Sequence, residues 1–294
     1  MMSSLRPRRS VLYMPGSNAR ALEKGKTLPA DALIFDLEDA VAPDAKSLAR
    51  QQVVAALETG DYGHREIIIR MNGLKTDWGS QDLEAIAGSK ADALLVPKVE
   101  SAAQIQEIES LMQSAGANAE MAIWAMMETP LGMLHAEEIA AASKRLTCLV
   151  MGTSDLAKET NALHTRDRLP MITSLGLCLL AARAHGLTTL DGVHLNLDDD
   201  EGFAFSCQQG LELGFDGKTL IHPKTIAKTN EVFAPSEAQV DRSQQIVEAF
   251  EQAQLEGKGV VLLDGKLIEY LHVETANKIL ALDKAIRRSN THHD

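Results

Sequence analysis

The sequence predicts a (β/α)8 TIM barrel with a C-terminal helical and hairpin cap, on three observations. Short apolar runs recur along the chain, helical patterns fill the gaps between them, and 294 residues, 45% of them hydrophobic, suffice for one large core. The runs fall at residues 10–14 (SVLYM), 32–36 (ALIFD), 66–71 (EIIIRM), 93–98 (ALLVPK), 122–127 (AIWAMM), 148–152 (CLVMG), 188–193 (TTLDGV) and 218–223 (KTLIHP). Continuous apolar runs of this length read as strands buried on both faces of a parallel sheet. A doubly wound open sheet is the alternative arrangement of the same alternation.

The helices follow in order. Residues 18–27 form the first, and 44–58 the second, entered after Pro43 with Asp44 as its N-cap. Residues 77–87, 101–115, 130–142, 170–185, 199–214 and 223–233 complete the series, several opening on Ser, Asp or Pro and some closing at Gly186 or Gly214. Beyond the eighth unit the pattern changes. A long polar-faced helix ends at Gly257, an Asp264-Gly265 turn interrupts an apolar stretch as a small hairpin would, and residues 273–286 read as a final amphipathic helix. The expected organisation is a barrel over 1–234 and an extension and cap over 235–294 that packs on a neighbouring subunit.

A formal net charge of −12 argues against a nucleic-acid binder, which needs clustered Lys and Arg. Cys148, Cys178 and Cys207 are scattered among apolar neighbours without metal-site spacing, so they read as buried thiols in a reducing cytoplasm. The basic N-terminal stretch is followed by no long apolar segment, which predicts neither a signal peptide nor a membrane span. His292 and His293 read as a short polar end and not a metal site.

In such a barrel, chemistry gathers at the C-terminal ends of the strands. Those ends carry Asp36, Glu38 and Asp39, then Arg70 and Asn72, Lys98 and Glu100, Glu128, Ser154 and Asp155, Asp191 and His194, and His222. Taken singly, each has a bland role: a cap partner for Glu128, a turn for Asp191-Gly192, a surface pair for Lys98 and Glu100. Arg70 is harder to dismiss, because a guanidinium straight after three isoleucines must reach something anionic. Glu128 and Asp155 are hard oxygen donors from adjacent strands, a set that favours Mg²⁺ or Mn²⁺ over Zn²⁺. A metal there chelates a 2-oxo or 2-hydroxy acid as a Lewis acid, and Arg70 stabilises a developing enolate.

The motifs RRSVLYMPGSNARALEK, ALIFDLEDAVAPDAK, IIIRMNG, LLVPKVES, METPLG, GTSDLAKE and LGFDGKTLIHPKTI, in that order, resemble the citrate lyase β-subunit-like family. The resemblance spans essentially the whole chain. It implies a Mg²⁺-dependent carbon–carbon lyase that cleaves a 3-hydroxyacyl-CoA, such as malyl-CoA or citramalyl-CoA, to acetyl-CoA and a 2-oxo acid. A malyl-CoA thioesterase using the same site is the close alternative. A citrate lyase complex subunit acting on an acyl-carrier protein is the third.

The resemblance also implies roles. Glu128 and Asp155 look like the metal ligands, and Arg70 like the group facing the thioester carbonyl and enolate. Asp36, Glu38 and Asp39 look like carboxylates that order metal-bound water. Tyr13, Arg20 and Lys24 look like a coenzyme A site, with Arg20 and Lys24 four apart on one helix face. Ile221 and His222 would line the pantetheine path. Related lyases take an acidic residue from a neighbour's cap as general acid/base, and the matching residue is Glu269, where the citramalyl-CoA enzymes carry Asp. Supply from a neighbour implies a homotrimer or a dimer of trimers.

Overall fold

The computed structural model describes residues 6–290, so His292 and His293 lie outside the described residues. Strands β1 (Ser10–Pro15), β2 (Ala32–Asp36), β3 (Glu66–Arg70), β4 (Ala93–Val96), β5 (Ala122–Met127), β6 (Leu146–Met151), β7 (Thr188–Asp191) and β8 (Gly217–Leu220) close into one barrel in chain order. Every neighbouring pair is parallel, and β1 closes the ring on β8. The predicted barrel is therefore the observed one, and the open sheet is not.

Helices α1 (Ala19–Gly25), α2 (Lys46–Thr59), α3 (Gly79–Ala87), α4 (Ala102–Ser114), α5 (Pro130–Leu134), α6 (Ala136–Ala140), α7 (Thr153–Thr160), α8 (Ile172–Ala184), α9 (Asp200–Leu213) and α10 (Ile226–Val232) make the crossovers. Three details differ from expectation. Asp44 does not cap α2, which is entered through a 3₁₀ turn at Pro43–Ala45 without a side-chain cap. The pattern at 130–142 is two short helices, broken at His135, whose ring Nδ1 lies 2.8 Å from the Glu100 carbonyl. Helix α7 was not expected, because it is short and its N-cap, Gly152, offers no side-chain acceptor.

Alternation along the strands fills the barrel. Val11, Ala32, Ile34, Ile68, Ala93, Leu95, Trp124, Met126, Cys148, Val150 and Leu190 form one buried cluster of alternate positions. At the N-terminal floor, Arg8 donates to both oxygens of Glu66 at 2.7 and 2.8 Å and to Thr188 Oγ1 at 2.8 Å, with its guanidinium 4.9 Å from the Trp124 ring. The same parity carries Asp36, Arg70, Glu128 and Gly152 to the inner face at the C-terminal rim. All three cysteines are free and buried, as expected.

The chain divides into two compact units, one over Arg8–Glu231 and one that includes Val232 onward. In the second, α11 (Glu237–Leu255) opens on a Ser236–Gln239 capping box. Strands β9 (Val261–Leu263) and β10 (Lys266–Ile268) form the hairpin, with Asp264 and Gly265 both at positive φ as a tight two-residue turn requires. Helix α12 (Tyr270–Asn290) follows, and Phe250, Ile268 and Val273 make a small core. Among the described residues, no helix is long and apolar enough to cross a membrane.

Candidate active site

Parallel register sets Asp36 directly beside Arg70. Asp36 takes Arg70 Nε at 2.7 Å and Arg70 Nη2 on its other oxygen, and it also accepts from the backbone N–H groups of Glu38 and Ala40. Each oxygen thus receives two donors. Asp36 is consequently a clamp on Arg70. Arg70 Nη1 lies 3.0 Å from Glu38 Oε2 and 3.2 Å from Asp39 Oδ2, and the guanidinium stacks 4.9 Å from the Tyr13 ring. The Glu38 contact is an ion pair without hydrogen-bond alignment at that oxygen. Burial works against the Arg70 charge, but Asp36, Tyr13 and Glu38 together outweigh it and hold the group well above the usual arginine value.

The turn carrying these carboxylates is pinned from behind by Lys46, a residue without a sequence signal. Its ammonium donates to the Leu37 and Glu38 carbonyls at 2.8 and 2.7 Å and to Asn72 Oδ1 at 2.7 Å. Asn72 is held in turn by Asp82, which pairs with Arg50. Asn72 therefore supports the rim from outside the reaction centre.

Glu128 follows β5 and is 2% exposed. Its Oε1 accepts from the Lys98 backbone N–H at 2.8 Å, and Lys98 itself stands in the left-handed region at φ +48. Burial, and then the charge of Glu38, push its carboxyl up to about 7 despite the Lys98 hydrogen bond and the Arg70 charge. Gly152 makes room for it, because a Cβ there would collide with Cβ and Oε2 of Glu128. Asp155 lies in the first turn of α7 and not at the strand tip. Lys98 does not pair with Glu100; its Nζ lies 3.0 Å from Glu38 Oε1 and 3.4 Å from Asp155 Oδ2. Glu38 and Asp155 therefore flank the ammonium, while Glu128 accepts from the backbone of the same lysine. Among the described residues, no three His, Cys, Asp or Glu side chains form a complete metal cage. Glu128 and Asp155 nevertheless suit an oxygen-preferring dication, as two hard donors in a cluster short of positive charge, with positions left for water and substrate.

Other expected members lie elsewhere. Asp191 follows Leu190 and so faces outward, where it binds Lys218 Nζ at 2.8 Å and Arg168 Nη1 at 2.6 and 2.7 Å. It is a structural ion cluster outside the barrel. Next to it, burial and the Lys218 charge push the His194 imidazole down. Tyr13 shares the inner face with Val11, and its hydroxyl lies 3.3 Å from Met126 Sδ, so it does not join Arg20 and Lys24. Those two line an open depression on α1 of about 570 Å³ with Glu23, Lys26, Thr27 and Asp61. Ile221 is exposed just after β8, and His222 caps the following turn by accepting from Lys224 N at 3.1 Å. In the second unit, Glu269 is exposed beside α12, its backbone N–H donating to His272 Nδ1 at 3.0 Å.

A parallel eight-stranded barrel with an arginine and a carboxylate cluster on its C-terminal rim defines an enzyme class, and the comparisons agree. The chain belongs to the HpcH/HpaI aldolase/citrate lyase family, whose pattern matches residues 9–223. It is 53% identical over 286 residues to a (3S)-malyl-CoA thioesterase of Cereibacter sphaeroides, covering 97% of this chain and 98% of that one. It is 36% identical over 281 residues to the citrate lyase subunit beta of Escherichia coli K12, covering 94% and 93%. Among solved structures it is similar to protein CitE from Mycobacterium tuberculosis in complex with magnesium, acetoacetate and coenzyme A. That likeness has a TM-score of 0.74 and 27% identity, covering 94% of this chain and 97% of that one.

Proposed function

We propose that this chain is a Mg²⁺-dependent thioesterase that hydrolyses a malyl-CoA-type thioester to the free hydroxy acid and CoA. The observation that carries hydrolysis is the 53% identity, over nearly the full length of both chains, to the Cereibacter sphaeroides thioesterase. Magnesium and coenzyme A, bound together by the similar CitE protein, are the cofactor and the substrate handle in this reading.

Glu128 and Asp155 hold the cation, which supplies Lewis acidity to the bound hydroxy-acid end. Asp36 fixes Arg70, and Arg70 faces the thioester carbonyl, where its guanidinium stabilises the oxyanion formed as water adds. Glu38 and Asp39 orient water. Arg20 and Lys24 meet the phosphates of CoA, and Ile221 and His222 border the pantetheine arm. Tyr13 stacks under Arg70 and helps position it. The reaction proceeds in the cytoplasm.

Carbon–carbon cleavage to acetyl-CoA and glyoxylate is the second reading. What favours it is Arg70, a buried guanidinium kept charged at the rim, which suits an enolate as well as a tetrahedral oxyanion. In that reading Glu269 of a neighbour's cap returns the proton, within a homotrimer or a dimer of trimers. Sedimentation as a monomer would count against it.

Mass spectrometry of products from malyl-CoA with Mg²⁺ decides between the two: malate plus CoA supports hydrolysis, and acetyl-CoA plus glyoxylate supports cleavage. Glu128→Ala is expected to abolish either. Full activity in that variant would remove Glu128 from the metal site.

A further inference from the structure

Lys98 stands where the charge imbalance of the rim is greatest. Asp36 is filled by Arg70, and Asp39 pairs with the same guanidinium. Glu38 shares that guanidinium at 3.0 Å, Glu128 and Asp155 make no ion pair with it, and Lys98 faces all three: its ammonium reaches Glu38 and Asp155, and its backbone N–H reaches Glu128. Its main chain lies in the left-handed region at φ +48 and donates that last bond, while its side chain is 46% exposed. The backbone is thus fixed to the cluster, whereas the ammonium rides on a flexible stem with open solvent beside it.

We infer that the Lys98 ammonium is the resident counter-ion of the Glu38–Glu128–Asp155 cluster and competes with Mg²⁺ for it, leaving toward solvent when the metal enters. The inference rests on the reading of Glu128 and Asp155 as metal ligands. The competition follows from electrostatics. A monocation 3.0 Å from Glu38 and 3.4 Å from Asp155 repels an incoming dication and already engages Asp155, one of the two proposed ligands. Without the ammonium, the acids that Arg70 leaves unmatched would repel one another, as the Glu38 charge already acts on Glu128, so the lysine keeps the metal-free site assembled. Lys98 in this way sets the free Mg²⁺ concentration at which the site fills.

Calorimetric titration of Mg²⁺ into the substrate-free protein tests this. Lys98→Met keeps the length of the stem and removes the charge, and it is expected to bind Mg²⁺ at least about tenfold more tightly than wild type. Lys98→Asn, a residue that tolerates the left-handed backbone, is expected to show the same gain, so the result does not depend on one variant folding. Wild type that binds Mg²⁺, alongside charge-free variants that bind it equally or more weakly, would overturn the competition and leave the metal site standing. Absence of Mg²⁺ binding by wild type would instead remove the metal site itself, and the competition with it.

Discussion

At the floor of the barrel Arg8 divides its guanidinium between both oxygens of Glu66 and the Thr188 hydroxyl, and Arg9 likewise closes on both oxygens of Asp31. At the rim, Arg70 and Lys98 face five carboxylates: Asp36, Glu38, Asp39, Glu128 and Asp155. Both ends use arginine and acidic side chains near strand termini, and both bury an arginine–carboxylate pair, Arg9–Asp31 at the floor and Arg70–Asp36 at the rim. The floor is matched charge for charge, so its ion pairs serve the fold. The rim is left short of positive charge, and that shortage is what a ligand can answer. Burial of charge alone therefore does not mark a site; an unmatched count does.

The sharpest way to break this comparison is to remove one acid from each end. Glu66→Ala leaves Arg8 buried without its partner and is expected to cost about 3–5 kcal/mol in urea unfolding. Activity per folded molecule is expected to stay unchanged. Glu128→Gln is expected to do the opposite. The amide keeps the acceptor for the Lys98 N–H and removes one charge from an overcrowded cluster, so stability holds or rises while Mg²⁺ binding and turnover disappear. A Glu128→Gln variant that unfolds easily yet still binds Mg²⁺ would put the rim in the same class as the floor.

A smaller effect is expected from Gly152→Ala. The added methyl collides with the Glu128 side chain, which must move because the Gly152 backbone leads directly into α7. Overpacking of this kind costs about 1–3 kcal/mol. Here it displaces a proposed ligand, so Mg²⁺ affinity measured by titration is expected to fall along with thermal stability. Unaltered Mg²⁺ affinity in a destabilised Gly152→Ala protein would separate Glu128 from the metal.

The barrel was legible because apolar runs and their spacing are local properties, and the strands begin and end within a few residues of where the pattern puts them. The identity of the rim residues was legible for the same reason. Their pairing was not. That Asp36 clamps Arg70 depends on the register between β2 and β3, which neither segment encodes alone. Lys98 looked like half of a surface pair because nothing in its neighbourhood announces positive φ at a lysine. The sequence pattern puts Asp155 on a strand tip because α7 is short and lacks a capping side chain. Asp191 and Tyr13 were recoverable: counting alternate positions from Leu190 and Val11 turns the first outward and the second inward.

The last expected effect concerns pH, and it belongs to the rim. An unfolded glutamate ionises near about 4.3, whereas burial beside Glu38 raises Glu128 to about 7 in the folded chain. Between those values the folded metal-free protein keeps a proton that the unfolded chain has released. Raising the pH through this window therefore lowers the unfolding free energy, by at most about 1.4 kcal/mol per pH unit for one proton. Glu38, also raised by burial, adds to the same slope. The stabilising effect of the retained proton is complete below the unfolded value and is lost as the pH passes about 7. Mg²⁺ binds the ionised carboxylate, so saturating metal should flatten or reverse the slope, most clearly above pH 7. Urea unfolding at several pH values between 5 and 8, with and without Mg²⁺, measures both effects. Glu128→Gln should lose the greater part of the slope and all of the metal response. A wild-type slope that Mg²⁺ leaves untouched would place the titrating group away from the cation, and the rim's excess of acid would then need another explanation.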